Sequence, residues 1–378
     1  MRRLKVLISA GEASGDLYAS ALAAELRRRD GCYEFFGSPG PRMMAVGVRA
    51  VMDQSQLSVV GLAEVIRHLP AIYGEFQKLI RAAAVERPAV AVLTDSSGFH
   101  LRVARALKAL GIPVVYLVAP QAWAWRRGRV YQLQRNVERL LCIFPFEEKF
   151  FRSYGIRAYY VGHPLSRLIS ASTSRDAFRA AHGLDPQRPL VALLPGSRVG
   201  EIRRHLPLLR AAMTRIDAQF LLGTPPRFDT SALGAALADR PVTIASGQTW
   251  DLLAHCDVAL AASGTVTVEG AILGAPMVSF YRVSPLTYLA RPLIRAPFLS
   301  MVNLIAGRAI IPELIQHEAT PERLAAETNQ LLASHHARAE MRRQLEEEVA
   351  ARLRTVADPI ATVADHVEEV LRERGHAH

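Results

Sequence analysis

Cysteine, lysine and long apolar runs are all scarce in this 378-residue chain. Its three cysteines, Cys32, Cys142 and Cys256, stand far apart with no paired spacing. That argues against a disulfide framework or a thiolate zinc site, and it fits a reducing compartment. The amino-terminal apolar run covers only residues 6–10 before Gly11 and Glu12 interrupt it, too short for the core of a secretory signal. The longest uncharged stretch, residues 109–125, contains Gly111, Pro113, Pro120 and Gln121, so it reads as strand plus loop. No segment reaches the roughly 20 apolar residues of a spanning helix. The expectation is a cytoplasmic protein, soluble or bound peripherally to a membrane. Lysine is confined to Lys5, Lys78, Lys108 and Lys149, which leaves arginine as 42 of the 46 cations.

What is present is apolar mass and positive charge. Half the residues are hydrophobic and mean hydropathy is slightly positive, ample for sizeable cores and too apolar for a disordered chain. The length suits two or three domains of about 150 residues. The net charge of +11 favours anionic partners: phosphorylated metabolites, nucleic acid or a membrane surface. An RRM-like aromatic motif and a zinc finger are both missing, and the cations are dispersed, so no nucleic-acid partner is expected.

Short apolar runs alternate with helical patterns. Residues 4–10, 89–94, 112–118, 140–144 and 158–161 read as strands, with helices over 16–29, 99–110 and 126–139. A mixed stretch at 166–189 reads as a connection, after which strands at 190–194, 219–222, 242–245, 257–261 and 276–281 restart the pattern. Strands apolar on both faces and separated by helices imply parallel sheets covered on both sides. The predicted architecture is α/β: two Rossmann-like domains facing a cleft, residues 1–168 and 169–350, with a helical tail at 351–378.

Candidate chemistry gathers where strands end. Residues 9–16 form a glycine-bearing turn between strand and helix; Gly11, Glu12, Ser14, Gly15 and Asp16 either bring amides to an anion or simply make a tight turn with Ser14 or Asp16 as cap. The lysine of a Walker A loop and the G-x-G-x-x-G spacing are both missing. Asp95 ends the 89–94 strand, where a carboxylate can take a proton from a substrate hydroxyl or, alternatively, cap the next helix. In the second half Gly196, Ser197 and Arg198 follow one strand, and Ser263, Gly264 and Thr265 follow another, ahead of Glu269. Two such turns suit a diphosphate with a sugar or nucleoside attached; each is also compatible with an ordinary turn. Trp123 and Trp125, beside Arg126 and Arg127, either stack on a sugar or anchor a loop in the core. His163 has no metal-ligand cluster around it and reads as a hinge hydrogen-bonder.

Ten segments in order resemble the lipid-A-disaccharide synthases, inverting glycosyltransferases of the GT-B architecture. They are AGEASGD (10–16), GPRM (40–43), VVGLAEVI (59–66), WAWR (123–126), PFE (145–147), VGHP (161–164), LLPGSR (193–198), SGTVTVE (263–269), YR (281–282) and PELIQ (312–316). The resemblance implies transfer of 2,3-diacylglucosamine from its UDP derivative to 2,3-diacylglucosamine 1-phosphate, giving a β-1,6 disaccharide 1-phosphate and UDP without a metal or an organic cofactor. It implies Asp95 as base, Arg198 on the diphosphate, Ser263, Gly264, Thr265 and Glu269 around the nucleotide, and Asn303 near the donor. Where the family commonly has Asp-x-Pro-x-Phe-Asn, this chain has Ser97 for Pro and His100 for Asn. Other readings are a different UDP-sugar transferase or epimerase on the same plan, or a basic anion-binding protein without catalysis. The acyl-chain length and oligomeric state stay open.

A stripe of Leu62, Val65, Ile66, Leu69, Ile72, Phe76, Leu79 and Ile80 has helical spacing, with Glu64, Arg67, Glu75 and Lys78 off it. Pro70 is expected to divide the segment into two helices. The stripe either packs on the core or meets an anionic membrane on the cytoplasmic face of the inner membrane, where acylated substrates reside.

Overall fold

The computed structural model describes residues 4–53, 62–124, 127–226, 228, 233, 242–283 and 296–376, with the backbone alone over 62–68. It divides into two compact units, Met1–Pro164 with Thr355–His378, and Leu165–Arg354. Each is built on one parallel sheet.

The first sheet is β1 (Leu4–Ala10), β2 (Tyr33–Ser38), β3 (Arg49–Ala50), β4 (Val90–Thr94), β5 (Val114–Leu117), β6 (Arg139–Cys142) and β7 (Ala158–Tyr160), in the order β3-β2-β1-β4-β5-β6-β7. The second is β8 (Leu190–Leu194), β9 (Gln219–Thr224), β10 (Thr243–Ser246), β11 (Val258–Ala262), β12 (Met277–Tyr281) and β13 (Glu313–Ile315), in the order β10-β9-β8-β11-β12-β13. β4, β8 and β11 are buried along their whole length, as strands covered by helices on both faces must be. Three strands were not expected from the sequence. β2 carries Glu34 and Gly37 within its run, while β3 and β13 are too short to show a period.

Two other expectations are corrected. Residues 355–378, expected in a tail of their own, belong to the N-terminal unit. The helix Pro359–Glu373 is capped by Asp358, which accepts from Ile360 and Ala361 N–H, and it buries Ile360, Val363, Val367, Val370 and Leu371. It lies against the helix Ala13–Arg29 and β4. An apolar face of that size needs cover, which a free tail cannot supply. Arg29 pairs with Asp365 and Glu368, and buried Arg139 with Glu369 and Glu373.

Pro70 does not divide its segment: one helix runs Leu62–Glu86 with the proline inside. Pro70 is exposed, so water can serve the carbonyl it leaves without a partner. The stripe itself is split. Leu79 is fully buried, and Ile72, Phe76 and Ile80 pack on the core. Leu69 and Tyr73 are 49% and 62% exposed. Glu75, off the stripe, is nonetheless buried, accepting from Asp53 N–H and Lys78 Nζ. The side chains of Leu62, Val65 and Ile66 lie outside the described residues, as do Trp125 and Arg126.

Candidate active site

In each sheet the strand order reverses at one place: between β1 and β4 in the first, between β8 and β11 in the second. Loops leaving such a pair run to opposite sides and open a crevice at the carboxyl edge. The predicted site residues collect at these two places.

In the N-terminal unit β1 and β4 end in register, with Ala10 opposite Thr94. Asp95 follows and does not cap the helix Ser97–Ala109, whose N-cap position is Ser96. Its carboxylate turns back to the neighbouring loop, where Oδ1 accepts from Gly11 N–H at 2.8 Å and Oδ2 from Glu12 N–H at 3.2 Å. Reaching them puts both Asp95 and Ser96 in the left-handed region, φ 50° and 31°, at a cost of about 1–2 kcal/mol each. The Asp95 carbonyl accepts from Tyr116 OH at 2.5 Å and from His100 Nδ1–H at 3.2 Å. Ser9 Oγ lies 2.8 Å from His100 Nε2. Sequence reasoning passed over Ser9 and Tyr116. The signal for Tyr116 was a phenol inside the apolar β5, whose hydroxyl has to find a partner.

The expected anion cradle is thus occupied by the chain's own carboxylate. A Cβ on Gly15 would lie 1.7 Å from Asp95 Oδ2, and one on Gly11 would lie 2.2 Å from Ser96 Cβ. Both glycines make room for the Asp95 turn. Asp16 is buried and accepts from Arg42 and Met43 N–H, closing the start of the helix Pro41–Ala45. Its role is structural. Glu12 is exposed and Ser14 half-buried at the rim. Burial lifts the Asp95 carboxyl well above the usual carboxylate range, and the Glu12 charge adds to this; the Gly11 and Glu12 amides pull the other way without prevailing.

Trp123 packs against the core, stands edge-on to Phe146, and donates from Nε1 to Glu147 Oε1 at 3.1 Å. Burial raises Glu147 to about 8. His163 is buried edge-on to Tyr18, and burial depresses it to about 3. Among the described residues no group of three His, Cys, Asp or Glu is placed to hold a metal ion.

In the C-terminal unit β8 and β11 end side by side, with Ala261 opposite Leu194. One turn, 195–198, enters the helix Val199–Met213; the other, 263–264, enters the helix Thr265–Ile272. Neither N-terminus has a side-chain cap, and orphan amides at such an end favour anions. Ser197, Gly264 and Thr265 are exposed; Gly196, Arg198, Ser263 and Glu269 are half-buried. The first turn is braced from beneath. Glu201 Oε1 accepts from Arg198 Nη1 at 3.3 Å and from Tyr281 OH at 2.8 Å. Gly196 has φ 120°, and a Cβ there would meet Glu201 Oε2 at 2.6 Å. His205, which sequence reasoning missed, takes Arg282 N–H on Nε2 and lies 2.7 Å by Nδ1 from the Pro195 carbonyl.

Asn303 departs from expectation. It is fully buried, its Oδ1 accepts from Ile310 and Ile311 N–H, and its Nδ2 donates to the Ile311 carbonyl and Glu313. With both ends of the amide spent on the 310–313 loop, its side chain staples that loop.

Residues 6–365 match the family model described as lipid-A-disaccharide synthetase. The lipid-A-disaccharide synthase of Solibacter usitatus is 54% identical over 356 residues, covering 92% of this chain and 93% of the relative. Among solved structures, the glycotransferase of kitacinnamycin is similar with a TM-score of 0.64 at 19% identity, over 98% of this chain and 99% of its own. The UDP-GlcNAc 2-epimerase from Neisseria meningitidis, bound to UDP-GlcNAc, gives 0.63 at 12% over 98% and 100%. Those two likenesses establish the fold, two parallel-sheet domains of the GT-B type, and a transferase and an epimerase share it, so fold alone does not choose a chemistry. The sequence match does, and on it the chain belongs to the lipid-A-disaccharide synthase family.

Proposed function

We propose that this protein transfers 2,3-diacylglucosamine from its UDP derivative to 2,3-diacylglucosamine 1-phosphate, with inversion, forming the β-1,6 disaccharide 1-phosphate and UDP. The observation that carries the site assignment is the Asp95 turn. A carboxylate at the switch point, held by two amides in a strained backbone and lifted toward neutrality by burial, suits a general base. Asp95 takes the proton from the acceptor 6-hydroxyl as that oxygen attacks the anomeric carbon. The bond from that carbon to the diphosphate breaks, and its electron pair leaves on the phosphate oxygen. Arg198, Ser197 and the uncapped amides at Val199 and Thr265 are proposed to meet that charge, with Ser263, Gly264 and Glu269 on the nucleoside and Glu12 and Ser14 on the acceptor. A guanidinium fork and oriented amides supply the charge stabilisation, so the reading is metal-independent.

Acylated substrates reside at a membrane, and no helix among the described residues is long and apolar enough to cross one. Peripheral contact with anionic lipid on the cytoplasmic face of the inner membrane is therefore part of the proposal, through exposed Leu69 and Tyr73, one helical turn apart.

The deciding experiment incubates the protein with both substrates in EDTA and seeks the disaccharide phosphate by mass. Its formation supports the reading. Turnover of the UDP-sugar without acceptor points to epimerase or hydrolase chemistry, and activity lost in chelator and restored by a divalent ion refutes metal independence. For the membrane arm, Leu69→Ser/Tyr73→Ser is expected to stay folded and to bind anionic vesicles less than the parent. Unchanged binding in the folded variant removes that part.

A further inference from the structure

The reading of Asp95 as base leaves open what holds it in place. Asp95 and Ser96 both occupy the left-handed region, although neither is glycine, a conformation that persists only where the surroundings over-determine it. The carboxylate end is held by Gly11 and Glu12 N–H. The backbone end is held at two carbonyls: that of Ser96 accepts from Phe99 and His100 N–H as the helix begins, and that of Asp95 accepts from two side chains, Tyr116 OH and His100 Nδ1–H. A carbonyl only accepts, so Nδ1 carries the imidazole proton, and Nε2 is left to accept from the Ser9 hydroxyl. His100 is fully buried on the first turn of its helix, edge-on to Phe99.

We propose that His100 is a positioning residue for the base: a neutral imidazole, oriented by Ser9, that fixes the Asp95 carbonyl so that the 95–96 turn stays left-handed and the carboxylate stays on the Gly11 and Glu12 amides. Burial lowers the His100 pKa to about 4, so the ring is neutral near pH 7. The two nitrogens do different jobs. Nδ1 acts on the Asp95 backbone directly, while Nε2 only keeps the ring from turning. The proposal accordingly distinguishes two conservative replacements. An asparagine amide occupies the place of Nδ1 and can still donate to the carbonyl; a glutamine amide reaches instead toward the place of Nε2, and so toward Ser9.

The test is the kcat, the KM for the UDP-sugar and the kcat–pH profile of His100→Leu, His100→Asn, His100→Gln and Asp95→Asn. His100→Leu is expected to lose about 10²-fold in kcat, the cost of a misplaced reacting group, with the UDP-sugar KM within about twofold. Its acid limb should move down in pH, because a carboxylate released from its cradle regains water. The titratable groups facing Asp95 are Glu12, Tyr116 and His100 itself. His100→Asn should recover most of kcat and restore the limb; His100→Gln should not. If Asp95→Asn loses turnover while folded His100→Leu keeps both parental kcat and limb, the base reading stands and the positioning role falls. If Asp95→Asn stays active, the base reading falls first. Should His100→Leu fail to fold, the comparison passes to His100→Gln, Tyr116→Phe and their double variant. Two donors that clamp one carbonyl predict a double loss larger than the product of the single losses; a simple product overturns the proposal.

Discussion

The two switch points of this molecule look alike in topology and differ in what fills them. At β1/β4 the amides of Gly11 and Glu12 are taken by Asp95, and two glycines are hollowed out to admit it. At β8/β11 the amides that open the helices Val199–Met213 and Thr265–Ile272 meet no side-chain cap. A Cβ on Gly264 would touch nothing nearer than the Ala262 carbonyl at 4.0 Å. One crevice has been closed by the chain's own carboxylate, the proposed base. The other has been left open and so suits a foreign anion. Under the proposed reading a single topological device serves proton transfer in one unit and phosphate binding in the other, depending on whether the loop after the partner strand carries an acid.

That contrast breaks most sharply at Asp95. Asp95→Asn keeps the shape and loses the proton-accepting charge, so turnover should fall by about 10²–10⁴ while UDP affinity holds. Steady-state rates beside calorimetric UDP titration check it, and an active folded variant ends the assignment. Next comes the pair of glycines. Gly15→Ala drives a methyl into Asp95 Oδ2 and should cost about 10²-fold in kcat; Gly264→Ala, in open space, should change kcat only a few-fold. Equal effects from the two would erase the distinction between a filled and an open crevice. Arg198→Ala should weaken UDP binding by about 1.5–3 kcal/mol, and Arg198→Lys should restore part of it, since an ammonium lacks the bidentate fork. A lysine variant as good as the parent argues against the fork.

The smallest effect is one of pH. As the proposed base Asp95 would have to be ionised, and its pKa is raised, so kcat should fall on acidification at a higher pH than an ordinary carboxylate dictates. Binding of a UDP-sugar, whose diphosphate does not titrate there and whose arginine partner stays charged, should be flat across the same window. Matching acid limbs for rate and binding would show that both units titrate together.

Much of this was legible because buried parallel strands leave continuous apolar runs. β1, β4, β8 and β11 announce themselves that way, and the residues just after them mark the crevices. Asp95 is visible for that reason alone. What holds it is not: Ser9 and His100 are 91 residues apart, and no local pattern joins them. Asp16 sits in a turn that suits either an anion or a helix cap, and the resemblance alone puts Asn303 near the donor. Their partners, the helix start at Arg42 and the loop at 310–313, come from elsewhere in the fold. The Leu62–Glu86 stripe was visible, but its division was not. A helical period shows which positions share a face, and only the neighbouring core decides where along the helix the cover ends.

The return of residues 355–378 to the N-terminal unit has a consequence for how the protein is made. The N-terminal unit is begun before Leu165–Arg354 is made and completed after it. While the ribosome is still adding Leu165–Arg354, the surface that the helix Pro359–Glu373 will cover on the helix Ala13–Arg29 and β4 stays open, and domains ordinarily fold from the amino terminus as they emerge. The C-terminal unit, continuous in sequence, can close before the N-terminal one does. The nascent chain therefore carries an unfinished apolar face until residues 359–373 are made and conceal it.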